Sequence, residues 1–380
     1  MNSTLYFDYC ATTPVHPKVM EQMLPVLGNS FGNPSSLHAP GQHARELVSQ
    51  ARMQVAAGIG AEPDEITFTS GATEANNLAL IGVMEALSPK KRHLITSSIE
   101  HHATLHTAEA LVKRGYELTI LPVDGQGRVS PEDLVGALRT DTGLVSVMLV
   151  NNEVGSLQDL PALSRIARQR DVLVHTDAVQ ALNCYGLDVD DLGVDLLSLS
   201  GHKIYGPKGI GALYVRKGTP IDPIQFGGAQ EAGLRPGTEN VPGIVGLGAA
   251  MALRNSDYSG RYLHMRHLRE QFMRGLQVIF PDAVVNGPLE NHAPHILSVS
   301  FQNVDGELLL FQLNQQGVAV SMGSACTSES IEPSHVLKAM GLTEAQIEGT
   351  IRISFGLQTT EREVQELLNL LPQAVEQARI

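Results

Sequence analysis

From Ile66 onward, short β-branched apolar runs alternate with stretches long enough to be helices. "ITFTS" is followed by a helical stretch from Ala72 to about Leu87, then by "HLITSS", a helix near 103–114 and "YELTILPV". The series continues through "GLVSVMLV", a helix near 160–170, "DVLVHTDA", "DLLSLSG" and "GIGALYVR". Strands apolar on both faces, alternating with helices, predict an α/β fold with a mostly parallel sheet covered on both sides. Ligands then bind at loops beyond the strand ends.

A helical stretch near 240–280, interrupted around "NSDYSG", leads to a second pattern with "HILSVSF", "DGELLLFQLNQQG", "VAVS", "TIRISFG" and a terminal helix. Few strands among several helices predict a small α+β domain. No internal repeat or low-complexity tract interrupts the chain.

Composition narrows the class of function. The chain has 380 residues, ample for a large core, with 27 Lys+Arg against 40 Asp+Glu, a formal charge of −13. Such a surface repels a phosphate polymer, so direct nucleic-acid binding is not expected. The start lacks the basic flank and apolar core of a signal peptide, and no apolar run reaches the roughly 18 residues of a membrane helix. A cytoplasmic, enzyme-sized protein is expected. Cys10, Cys184 and Cys326 are three in number and widely spaced, which argues against a disulfide framework or a CxxC zinc site.

Three segments at strand ends carry candidate chemistry. "TSGATEANN" (69–77) ends a strand and opens a helix, where amides of Gly71 to Thr73 and the Thr73 hydroxyl can hold a phosphate, or serve as a tight turn with a capping threonine. "VHTDAVQ" (174–180) sets Asp177 at a buried strand end, where a carboxylate needs a partner: a protonated pyridine nitrogen, a helix cap or a buried ion pair. "SLSGHKIYGPKGIG" (198–211) sets Lys203 in a turn beside Ser200 and His202; a desolvated lysine there can form a Schiff base, whereas a single lysine is ordinarily a solvated charge.

"SMGSACTSES" surrounds Cys326 with small residues, as an accessible thiolate needs; the alternative for a lone cysteine is burial. "EHHATLH" groups His101, His102 and His106 without HExxH spacing or a cysteine partner, so no metal is expected, and His102 and His106 read as surface neighbours. Cys10 reads as a packing cysteine.

"FDYCATTP", "FGNPSS", "FTSGATEANN", "EHHA", "VNNEVG", "HTDAVQ", "SGHKIYGPKGIGALYVR", "RPGTEN", "GSACTS" and "IRISFG" follow one another over about residues 5–370. In this the chain resembles the NifS/IscS-like cysteine desulfurases of the class V aminotransferase family, fold-type I enzymes of pyridoxal 5′-phosphate (PLP). The resemblance implies a large domain (15–255) with a mostly parallel seven-stranded sheet, and a small domain (1–14 and 256–380) carrying the catalytic cysteine loop. It implies Lys203 as the Schiff-base lysine, Asp177 as partner of the pyridine nitrogen, and His101 stacked on the ring and moving protons. Asn152 and Gln180 would bond the region of the phenolic oxygen. Ala72, Thr73, Ser200 and His202 would hold the phosphate, with Thr238 from the partner subunit of a homodimer. Asn33 and Arg352 would bind the carboxylate of L-cysteine.

Cys326 would take sulfur as a persulfide, leave L-alanine, and supply an acceptor protein for Fe–S cluster assembly, tRNA thiolation or cofactor thiolation. Selenocysteine lyase or another PLP lyase or aminotransferase reaction is the alternative on this fold. A non-catalytic protein of the same fold is a third, against which the set of Lys203, Asp177, His101 and Cys326 speaks.

Three features depart from the family pattern. "GGAQEAGLRPGTEN" lacks the arginine that often follows Gln-Glu, Pro236 stiffens the next turn, and the chain stops at Ile380, short of the tail through which IscS-type members engage an Fe–S scaffold.

Overall fold

The computed structural model describes residues 4–323 and 333–380. It opens with a two-residue strand, β1 (Leu5–Tyr6), and helices α1 (Pro17–Gly28) and α2 (Ala39–Ala57). The alternating series follows as β2 (Ile66–Thr69), α3 (Ala72–Leu87), β3 (His93–Ser97), α4 (His102–Lys113), β4 (Glu117–Leu121), α5 (Pro131–Ala137) and β5 (Thr142–Ser146). It ends with α6 (Leu160–Arg168), β6 (Leu173–Asp177), α7 (Val189–Leu192), β7 (Leu196–Ser200) and β8 (Gly211–Val215). These strands form one seven-stranded sheet in the order β2-β8-β7-β6-β5-β3-β4. Only β8 runs against its neighbours, β2 and β7, so the sheet is mostly parallel as expected.

The two-residue period of a strand explains how the sheet is covered. Leu94, Leu144, Leu196 and Leu213 face one side and join Leu78 and Leu111 beneath α3 and α4. Their neighbours Ile95, Val145, Leu197 and Ala212 face the other side and join the larger cluster with Val48, Val55 and Leu163. α3 is apolar around much of its circumference, with Ala75, Leu78, Leu80 and Val83 all buried, because it lies against the sheet.

The interrupted helical stretch is two helices, α8 (Val241–Ser256) and α9 (Tyr258–Ile279). Gly248 lets α8 approach α2 closely: a Cβ there would lie 2.7 Å from Ala51 Cα. Beyond α9, β9 (Val284–Asn286), β10 (Ile296–Ser300) and a later strand form a three-stranded antiparallel sheet. Between them lie α10 (Gly306–Gln315), β11 (Val318–Ala319), α11 (His335–Ala339) and α12 (Glu344–Glu348), and the third strand is β12 (Thr350–Ser354). The last helix, α13 (Glu361–Gln377), starts at a reciprocal cap in which Thr360 and Glu363 each bond the other's backbone N–H. β1 pairs with β11, and Leu5 and Phe7 are buried with Phe272, Val299, Ile353 and Leu371 in one core. The amino terminus thus folds with the residues that end the chain. Among the described residues no helix is long and apolar enough to cross a membrane.

Candidate functional site

The candidate residues gather beyond the carboxyl ends of β2, β6 and β7. β6 ends at Asp177, which is 5% exposed. Its Oδ2 accepts from Asn76 Nδ2 at 2.8 Å and its Oδ1 from the Val179 N–H at 3.0 Å. Both donors are neutral, and no cationic side chain pairs with Asp177 among the described residues. A buried carboxylate so placed is suited to a further, cationic partner.

β7 ends at the buried Ser200, and the chain turns through Gly201–Lys203. The Lys203 ammonium donates to the carbonyls of Cys10 and Ala11, the latter at 2.9 Å. Gln180 Nε2 donates to the same Cys10 carbonyl at 3.1 Å. Segment 10–13 is tied to the lysine turn, since the Thr13 hydroxyl donates to the His202 carbonyl at 2.9 Å and accepts from the Tyr205 N–H at 2.9 Å. Burial, with the nearby Lys203 and Lys208 charges, pushes the His202 imidazole down to about 4, so it is neutral near pH 7. Its Nδ1 lies 3.2 Å from the Thr12 hydroxyl.

β2 leads through Ser70 and Gly71 into α3. No side chain caps this helix, and a Cβ at Gly71 would meet nothing within 4 Å, so the helix opens onto free space. Ala72 and the exposed Thr73 form its first residues. Glu74 accepts from the Ser70 N–H at 2.8 Å and pairs with Arg235 Nε at 2.9 Å. Burial raises its pKa, but these bonds outweigh burial and hold the carboxyl below its usual range. Thr238 and Arg235 line a cavity of about 180 Å³ with Thr69 and Ser70.

His101 caps α4, its Nδ1 accepting the Ala103 N–H at 3.1 Å, so a neutral His101 carries its proton on Nε2. The preceding Glu100 is fully buried, bonded by Ser97 and by the Met148 N–H at 2.9 Å, and burial pushes its carboxyl up to about 8. His102 proves to be only partly exposed: it stacks on His106 at 4.9 Å and touches His335 at 4.8 Å. Among the described residues no group of three side chains is placed to hold a metal ion.

Arg352, 3% exposed in the middle of β12, donates Nη2 to Asp8 Oδ1 and Nη1 to the Asn152 carbonyl, both at 3.0 Å. Its Nε and the Asn76 Oδ1 are buried polar atoms without a hydrogen-bond partner among the described residues. Asn33 is exposed in the segment before α2, with its Oδ1 accepting the Ser35 N–H at 2.9 Å. Cys326 lies outside the described residues.

The structure therefore brings Lys203, Gln180 and Asp177 to one end of the sheet, with Arg352 near enough that its charge and that of Lys203 both act on the buried Cys10. Asn76, Asp8 and the Cys10 carbonyl also belong there, though the sequence reading gave them no role. Asn76 lies within "TSGATEANN", one turn into the helix that follows the expected phosphate turn, whereas a backbone carbonyl leaves no signal in the sequence. Cys10 is 1% exposed, in keeping with a packing side chain.

Residues 5–367 match the family model described as Aminotransferase class-V. The chain is 48% identical to "Cysteine desulfurase IscS" of Dictyoglomus turgidum over 100% of its own length and 96% of that protein's. It is 46% identical to the protein of the same description from Methanosarcina thermophila, over 100% and 93%. Among solved structures, a "NifS-like protein" superposes with a TM-score of 0.93 at 40% identity, over 98% of this chain and 99% of that one. A structure titled "SspA in complex with cysteine" gives 0.80 at 39% identity, over 92% and 98%.

Proposed function

Because this chain belongs to the class-V aminotransferase family, as one of its cysteine desulfurases, we infer that it binds PLP at Lys203 and converts L-cysteine to L-alanine with sulfur left on Cys326. The observation that carries the site assignment is the buried carboxylate of Asp177, which has no salt-bridge partner among the described residues, at the same end of the sheet as the Lys203 ammonium. The donor set fits the cofactor: Asp177 for a protonated ring nitrogen, the open start of α3 with Ala72, Thr73, Ser200 and His202 for its phosphate, and Gln180 with Asn152 near its phenolic oxygen. When bound, PLP supplies an electron sink for the substrate carbon skeleton.

Within that frame each residue has a task set by its chemistry. Arg352, with Asn33, binds the substrate carboxylate, and Asp8 and the Asn152 carbonyl hold the guanidinium in place. His101 moves a proton through Nε2, since Nδ1 is occupied as a cap. The Cys326 thiolate attacks the substrate sulfur: an S–S bond forms, the C–S bond breaks, and its electron pair stays on carbon, which takes up a proton. L-cysteine and one thiol become L-alanine and one persulfide.

The persulfide passes to an acceptor protein serving Fe–S cluster assembly or thiolation in the cytoplasm. A homodimer completes the site, Thr238 of each subunit reaching the phosphate bound by the other. Residues 15–255 form the cofactor domain, and 1–14 with 256–380 form the small one. Borohydride reduction of the PLP-loaded protein followed by peptide mapping tests the assignment: the reduced cofactor is expected on Lys203, and a label elsewhere overturns it.

A further inference from the structure

Gln180 is placed by a chain of hydrogen bonds that reaches it from the carboxyl-terminal part of the molecule. Its Nε2 donates to the Cys10 carbonyl at 3.1 Å, so its Oε1 faces the other way, toward His295 Nε2 at 3.3 Å. A carboxamide oxygen cannot donate, so His295 Nε2 carries the proton and Nδ1 is an acceptor. Cys184 Sγ lies 3.2 Å from that Nδ1, which can accept its S–H, and Met265 Sδ at 3.5 Å is the other acceptor within its reach. The directions from His295 to Gln180 to the Cys10 carbonyl are thereby fixed. All four residues are buried, between 1% and 4% exposed, so water does not offer replacement partners.

We propose that His295 is a positioning residue, which with Cys184 locks the Gln180 carboxamide so that its NH₂ edge faces the Cys10 carbonyl that Lys203 also reaches. Turning the amide over would set its oxygen against the Cys10 carbonyl and its NH₂ against a ring nitrogen that already bears a proton. Lys203 Nζ and Gln180 Nε2 share one carbonyl acceptor, so they are close neighbours. On PLP the aldehyde carbon and the phenolic oxygen are adjacent ring substituents. A donor beside the lysine therefore meets that oxygen and stabilises it as the phenolate.

His295 keeps one protonation state throughout. Burial lowers its pKa to about 3, and the charges of Arg269 on α9, Arg352 on β12 and Lys203 act in the same direction. Its own carbonyl accepts the Phe355 N–H at 3.0 Å just beyond β12, so the strand that carries Arg352 and the amide that faces the phenolic oxygen are set by one residue. This inference rests on the reading of Lys203 as the PLP lysine.

The test is the pH midpoint of the visible band of the PLP-loaded protein, with melting temperature recorded alongside. Without the His295 donor the amide is released, the phenolate loses stabilisation and the midpoint rises. H295A is expected to raise it by about one pH unit, the size of one hydrogen bond to a charged group. H295Q, which keeps an N–H donor, should stay near the parent; C184A should rise by less, and C184S should restore the parent value. A midpoint unchanged in H295A overturns the inference while leaving the PLP reading intact. Should H295A not fold, equal midpoints in C184A and C184S overturn it. A parent protein with no visible band overturns both.

Discussion

Asn76 of α3 donates to Asp177 of β6 across 2.8 Å, joining the helix that opens the expected phosphate site to the carboxylate expected under the cofactor ring. Asn76→Ala leaves Asp177 one donor short in a buried place. A hydrogen bond to a charged group contributes about 1.5–3 kcal/mol, so PLP affinity should fall roughly 10- to 100-fold. Asn76→Asp sets two carboxyls against each other and should weaken binding further, because one must then hold a proton. Titration of the visible band with PLP measures both.

Arg352 is held by Asp8 and by the Asn152 carbonyl, and its Nε has no hydrogen-bond partner among the described residues. Arg352→Lys keeps the charge but removes the fork that matches a carboxylate. The KM for L-cysteine should rise on the order of 100-fold, as loss of a bidentate contact implies, with kcat changed much less. Arg352→Ala should in addition lower the melting temperature, since Asp8 loses its buried partner. Steady-state kinetics beside thermal melts separate the two effects.

His175 and His295 are fully buried, and burial lowers both to about 3. His175 is bonded on both nitrogens, to Ser146 at 2.8 Å and Ser198 at 2.9 Å. The native rings stay neutral while the unfolded ones take up protons below their ordinary value of about 6.5, so the unfolded state binds more protons. Stability is therefore expected to fall as pH drops from about 6.5 toward 3, by roughly 3 kcal/mol per pH unit from this pair once well below 6.5. Urea midpoints from pH 7 to 5 check this; a flat profile contradicts it. His175→Gln should lessen the slope.

The large sheet was legible because its strands carry apolar residues on both faces: Leu94 and Ile95, or Leu196 and Leu197, serve opposite clusters. Its helices were legible where a strand end met a turn, as at Gly71 before α3. The insertion of β8 between β2 and β7 was not, since pairing order depends on contacts remote in sequence. The same divide runs through the site. Lys203 and Asp177 stand out as charges at the ends of apolar runs. Asn76 meets Asp177 across 101 positions and Asp8 meets Arg352 across 344, and neither pairing leaves a local pattern. The shared acceptor of Lys203 and Gln180 is a main-chain carbonyl, so no residue type announces it.

Sulfur transfer to Cys326 is measured most directly by a single turnover of the PLP-loaded protein with L-cysteine, in the parent and in Cys326→Ala, with alanine quantified and the Cys326 peptide weighed. The parent is expected to form alanine as that peptide gains one sulfur atom, and Cys326→Ala, though still coloured by bound PLP, to form almost none. Alanine formed by Cys326→Ala at the parent rate would contradict that transfer.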